Sequence, residues 1–303
     1  MTPEELKQWS ETAKNFPIKE MYNDLLSPSF VKAGEALGTL MEFGTTPILP
    51  LKLLNARARL FFHNNIKRYE RKLDAIEKAS DVQVPEYIGM PILEKFTYLN
   101  DEYLAEMFAN LLVNASFEST LSNVHPRLLT ILETLSSDEA KILFALKERQ
   151  FVPLIDVYIT QMPKLPEKYS SMSEERKLIT MGTLNGIIPF HKVRSAWNLT
   201  ILQKLNGLSF PENIDLYIEN LELNGLIRFL RDQHLGGLEN EYSEIENEHA
   251  GGIEEIRETA IELEMDSDNQ EGYKYEVELQ RGYFEFTDLG NLLLKACIKD
   301  IEI

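Results

Sequence analysis

Eight cations, Lys52, Arg57, Arg59, Lys67, Arg68, Arg71, Lys72 and Lys78, lie between Leu51 and Lys78 beside only three acids, Glu70, Asp74 and Glu77. The chemistry such a cluster supports is the recognition of an anion. No proline or glycine interrupts the stretch, so it reads as one long helix. Leu53, Leu54, Leu60, Phe61, Phe62 and Ile66 share it. Apolar residues beside clustered cations are what an interfacial helix presents to anionic headgroups. Lys67, Arg68, Arg71 and Lys72, spaced to share a solvated face near the helix end, are the candidate contact residues for a protein partner or a membrane surface. In the plainer reading the apolar residues pack into a core, and the cations form a solvated face that partly neutralises an acidic segment elsewhere.

Catalytic chemistry has no comparable signal. The chain holds no Gly-x-Ser-x-Gly, His-Glu-x-x-His, Cys-x-x-Cys, P-loop or Gly-x-Gly-x-x-Gly. Its five histidines, His63, His125, His191, His234 and His249, never fall at metal-ligand spacing. His125 alone merits inspection, as a base at an exposed turn or as the cap before Pro126, which sits well at a first helical position. Nothing near it in sequence completes a site, so the cap is the reading adopted. No cofactor, metal or catalytic residue is expected.

Composition bounds the setting. At 303 residues with 44% hydrophobic content, the chain is long enough for two ordinary domains with their own cores. The single Cys297 forms no internal disulfide and points to a reducing compartment. The start, Met1-Thr-Pro-Glu-Glu, reads as a helix cap where a signal peptide would carry basic and then apolar residues. No uncharged apolar run approaches the roughly 20 residues of a spanning helix. The expected location is the cytoplasm, with peripheral contact at the inner membrane as an extension of it. Net charge is −18, and fourteen acids against one base (Arg257) between Asp232 and Gly272 supply −13 of it. Such a block reads as solvated or mobile and disfavours nucleic acid and anionic lipid.

Short helices are expected over residues 3–16 and 18–26, then a Gly-containing apolar segment, Phe30 to Leu54, before the basic helix to about Lys78. Residues 92–118 read as one or two helices with a break near Asn100, because Leu104, Met107, Phe108, Leu111, Leu112 and Ala115 recur at helical spacing. Helices 126–135 and 137–149 follow, the second opened by a Ser136/Glu139 capping box. A proline-containing stretch, Pro153 to Pro166, leads to a helix started at Ser171. Helical segments then cover His191–Leu205 and residues 211–224. A strand, residues 226–230, precedes the acidic stretch, whose helical piece is Ile253 to Met265. Tyr273, Tyr275, Val277 and Leu279 alternate as one face of a strand, followed by a turn at Gln280-Arg-Gly and a closing helix.

The run Met107-Phe-Ala-Asn-Leu-Leu112, the Val124-His-Pro126 turn and the Leu135-Ser-Ser-Asp-Glu-Ala-Lys-Ile-Leu143 helix together resemble the abortive infection alpha family of bacterial antiviral proteins. The likeness runs from Asp24 to Cys297, and similar endings to Phe286-Thr-Asp-Leu-Gly290 close members of that family. It implies a role in phage defence and carries no catalytic signature. The closing order helix, helix, strand, strand, helix looks like a winged helix, with 137–149 as its first helix and 211–224 as its third. That third helix carries Glu212, Asp215, Glu219 and Glu222 and no Lys or Arg, so it opposes a polyanion.

The expected fold class is mostly α: an N-terminal helical domain, residues 1–135, then a winged-helix-like α+β domain, 136–303, with an acidic insertion at about 232–272. The expected function is non-enzymatic abortive infection acting through protein or membrane contacts. The alternatives are a winged-helix transcriptional regulator and, further off, a magnesium-dependent nuclease using scattered carboxylates.

Overall fold

A computed structural model describes residues 56–76, 82, 84–163, 176, 191–231, 233–265 and 273–299. The helices expected over 3–16 and 18–26, the segment Phe30 to Leu54 and the helix from Ser171 lie outside the described residues. Those described are mostly helical and include one small antiparallel sheet. They fall into two compact units: Met1–Glu148 with Asp288–Ile303, and Arg149–Thr287. The expected boundary after residue 135 therefore lies inside the first unit, which also takes the closing helix.

The first unit holds α1 (Ala56–Asp74), α2 (Glu86–Phe96), α3 (Glu102–Asn114), the single turn α4 (Glu118–Leu121), α5 (Pro126–Thr134) and α6 (Ser137–Leu146). Helix α3 is its core, buried without interruption from Met107 to Asn114. A helix apolar all round must be enclosed on every side. Here α1, α2, α5, α6 and the closing turn of the chain surround it. Asp101 starts α3 by accepting the Leu104 N–H at 2.8 Å. Ser136 and Glu139 form the expected capping box on α6. Met107 and Leu111 have no exposed surface, as their spacing requires.

The second unit holds β1 (Phe151–Pro163), β2 (His191–Leu199), α7 (Ile214–Leu223), β3 (Ile227–Leu230), α8 (Glu239–Glu248), α9 (Ala250–Met265) and β4 (Tyr273–Phe286). The strand order is β2-β1-β4-β3, all neighbours antiparallel. Several expectations are corrected in this unit. The proline-containing stretch from Pro153 is the central strand, and His191–Leu199 is an edge strand rather than a helix, with a 3-10 turn at Ile201–Lys204. Pairing with β1 along one edge, interrupted by a bulge, outweighs the local helical spacing.

The turn at Gln280–Gly282 does not form. Strand β4 runs straight through it because β1 is long enough to pair from Phe151↔Glu285 to Pro163↔Tyr273. The alternation of Tyr273, Tyr275, Val277 and Leu279 is present as expected.

Most of the described part of the acidic segment is helical. Residues 239–265 form two helices whose Tyr242 and Ile245 pack with Ile155 of β1. The Tyr242 hydroxyl donates to the Gly282 carbonyl at 2.8 Å. The acids of α8 are neutralised within their own unit: Glu241 by Arg149, Glu248 by Lys204, and Glu239 and Glu246 by Arg281. A helix too short to persist alone is stabilised by the apolar face it buries.

After the second unit the chain closes with α10 (Asp288–Leu293) and a π-turn at Leu294–Ile298, both within the first unit. The wide turn frees the Ala296 and Cys297 carbonyls, which accept the side-chain amides of Asn114 at 3.0 Å and Asn110 at 2.8 Å. Buried polar groups need such partners, and here each supplies the other's.

Candidate functional site

Helix α1 separates the four predicted contact residues into two pairs. Phe62, Ile66 and Tyr69 form its buried stripe. Arg68 and Lys72 flank that stripe and both bind Glu106 of α3, Arg68 Nε at 2.9 Å. Lys67 and Arg71 point to solvent, making no ion pair among the described residues. Positions 67 and 68 differ by about 100° around a helix, so the four cannot share one solvated face. The expectation that they do is corrected. The cations paired with the acids of α8 are Arg149, Lys204 and Arg281 of its own unit. Lys67 and Arg71 share their side with Leu60, which is 56% exposed. A cleft of about 180 Å³ opens beside Arg68, but Asp101 and Glu102 also line it, so it presents no uniform charge to an anion.

Helix α7 presents the opposite chemistry. Ile214, Tyr217, Ile218 and Leu221 face inward. Gly225, at φ 75°, ends the helix in the left-handed conformation that glycine adopts without strain. On the outward side Leu216 and Leu223 are 60% and 76% exposed. Glu212, Glu219 and Glu222 are exposed around them, with no ion pair among the described residues. Asp215, at the shoulder of the helix, has a carboxyl pushed above the usual range by burial. A hydrogen bond from the Asn198 side chain opposes the shift, and the nearby Asp156 and Glu219 charges add to it.

Behind α7 lies a polar network that the sequence reading missed. Asp156, in the middle of β1, has no exposed surface. Its Oδ2 accepts from Arg231 Nη1 at 2.7 Å, with Arg194 Nη1 3.7 Å away, and its Oδ1 accepts the Asn198 N–H at 3.0 Å. Arg231 Nη2 also donates to Asn198 Oδ1 at 3.0 Å. Asn198 sits at φ 54°, uncommon for a residue with a side chain, at a bulge where β2 slips against β1. Gly282 makes the crossing possible. A Cβ there would lie 2.8 Å from both the Arg231 Cα and the Leu230 oxygen, so only glycine lets that backbone pass over β4 towards Asp156. The available signal was a lone carboxylate in the apolar run Val152–Ile159, which a buried strand tolerates only when paired. With each carboxylate oxygen engaged, Asp156 holds strands and the approach to α7 in place.

The remaining chemical candidates are structural. His125 caps α5, its Nδ1 accepting the Arg127 N–H at 3.1 Å. Cys297 is fully enclosed, and burial pushes its thiol far above the ordinary range, away from the reactive thiolate. Among the described residues no three His, Cys, Asp or Glu side chains group to hold a metal, and no helix is long and apolar enough to cross a membrane.

The family model described as "Abortive infection alpha" matches residues 62–297. The chain belongs to the abortive infection alpha family. Membership carries an abortive-infection, antiphage role, and the matched span takes in α7, the Asp156 network and α1 from Phe62 onward. No curated protein matches this family member. Among solved structures, it is similar to an uncharacterized protein from the hydrocarbon-degrading marine bacterium Alcanivorax borkumensis SK2. The identity is 18%, covering 55% of this chain and 89% of that one, with a TM-score of 0.29. At that score the likeness carries no structural argument.

Proposed function

We propose that this abortive infection alpha protein defends a bacterium against phage by contact rather than by catalysis, from the cytoplasm, with the outer face of α7 as the contact surface. The observation that carries the reading is the exposure of Leu216 and Leu223 amid three glutamates that make no ion pair among the described residues. Large apolar side chains ringed by polar groups are the usual composition of an interface centre and rim. In this reading α7, β3 and β4 correspond to the third helix and wing of a winged helix, with α8 and α9 inserted between the wing strands.

The same face speaks against the transcriptional-regulator alternative. A helix offering Glu212, Glu219 and Glu222 to a phosphate backbone meets like charge where counterion release needs cations. The test is phage challenge of bacteria expressing the parent or the Leu216→Asp/Leu223→Asp variant. Both substituted positions are exposed, so the variant should melt like the parent, and protection should be lost. Undiminished protection would overturn the contact reading.

A further inference from the structure

Two outward helix faces carry exposed charges of mainly opposite sign, Lys67 and Arg71 on one and Glu212 and Glu219 on the other, that make no ion pair among the described residues. On α1, Leu60, Lys67 and Arg71 share one side, with the exposed Asp74 at the last position of the helix on that side. On α7, Leu216, Glu219 and Leu223 do so, with Glu212 just before the helix. Other cations named above are committed: Arg68 and Lys72 to Glu106, and Arg149, Lys204 and Arg281 to α8. We propose that the α7 face of one copy docks the α1 face of a second copy of this chain. The proposal rests on α7 being a contact surface and names its occupant.

The spacing fits. With a rise of about 1.5 Å per residue, take the helices antiparallel with Leu60 beside Leu223. Lys67 then lies about 10 Å further along, level with Leu216 and between Glu219 and Glu212. Arg71 lies about 16 Å along, level with Glu212. Leu60 and Leu223 then meet at one end, Leu216 lies against the aliphatic stem of Lys67, and the Lys67 ammonium and Arg71 guanidinium come level with the stretch that carries Glu219 and Glu212. The contact uses different surfaces on the two copies, so every dimer keeps one face of each kind. Association therefore continues into a ring or a short filament rather than stopping at two.

Two copies of net charge −18 repel each other at a distance. That repulsion is screened beyond about 8 Å at physiological ionic strength, while groups in contact are screened less. Association is accordingly strongest at moderate salt and weakens both at very low salt, where repulsion is long-ranged, and at high salt, where the rim pairs fade.

Sedimentation velocity on the full chain tests this with two charge-reversed variants, Lys67→Glu/Arg71→Glu and Glu212→Lys/Glu219→Lys. The parent is expected to grow in sedimentation coefficient with concentration at physiological salt. Each variant alone is expected to stay monomeric while melting like the parent. Mixed, the two variants are expected to associate again, because each reversed face now matches the other's. A monomeric parent at all concentrations and salts, or no association in the mixture, overturns the proposal. So does parent-like association of either variant alone. A monomeric parent that binds anionic phosphatidylglycerol vesicles through Lys67 and Arg71 overturns it in favour of a lipid surface. A monomeric parent whose Leu216→Asp/Leu223→Asp variant still loses phage protection also overturns it, and leaves the contact reading standing with a foreign protein as occupant.

Discussion

Asp156 shows how much one side chain holds in this fold. Its carboxylate gathers Arg231, the Asn198 N–H and, more loosely, Arg194 at a point with no access to water. Removing one partner of a buried ion pair strands the others, at a cost of about 3–5 kcal/mol. Asp156→Ala is therefore expected to lower the thermal midpoint of the second unit severely, and calorimetry checks it; a melt like the parent's would mean the network is idle. Asp215 behaves in the opposite sense. Its folded carboxyl is raised above the unfolded value, chiefly by burial, so the folded state prefers it protonated. The stability tied to that proton is fully present below the unfolded value, near pH 4, and is lost as pH rises through the raised folded value. Asp215→Asn, which is never charged, should then be more stable than the parent at neutral pH, with the advantage shrinking to nothing in acid. Denaturant melts at several pH values decide it, and a constant difference across pH would refute the linkage.

Which elements could be read from the chain depended on how local their determinants are. The buried helix α3, the His125 cap and the Ser136/Glu139 capping box each involve residues within a few positions of one another, so spacing alone revealed them. The sheet resisted because its partners are far apart: β1 pairs with β4 across more than a hundred residues, and no local pattern reports that register. His191–Leu199 has helical spacing and yet is a strand, since β1 offers its ladder bonds. The helical piece Ile253 to Met265 was legible and is the body of α9, whereas α8 was not, because the Ile155 it packs on and the Arg281 that pairs its acids come from distant strands. Gly282 belongs to the same class, because its reason lies in a segment some fifty residues earlier. Gly282→Ala sets a Cβ 2.8 Å from backbone that cannot move aside without lifting Arg231 off Asp156. A loss of about 1–3 kcal/mol is expected for such overpacking. An unchanged melting temperature would show that the crossing is looser than its geometry implies.

At the scale of the whole molecule, charge distribution decides among the surfaces the chain could meet. The basic helix and the acidic block, as read from composition alone, suggested mutual neutralisation or a membrane-facing cation cluster. Among the described residues, several of those charges already have partners within their own unit. The acids of α8 are paired by cations of their own unit, and half of the candidate cluster, Arg68 and Lys72, is bound to Glu106. That leaves Lys67 and Arg71 as the exposed members of the four candidates with no ion pair among the described residues. Each basic residue near an anionic surface contributes roughly 1 kcal/mol, so the two together supply only about 2 kcal/mol. Even a single myristoyl chain, with an association constant of about 10⁴ M⁻¹, anchors a protein only marginally. Two cations fall well short of that, and the chain approaches the same surface carrying −18 overall. Flotation with anionic liposomes at physiological salt should accordingly leave the parent protein in the pellet fraction, and Lys67→Glu/Arg71→Glu should behave no differently. Lipid-bound parent released by those two substitutions would mean that more of α1 reaches the headgroups than its outward face offers, and the membrane would replace protein contact as the setting of the defence.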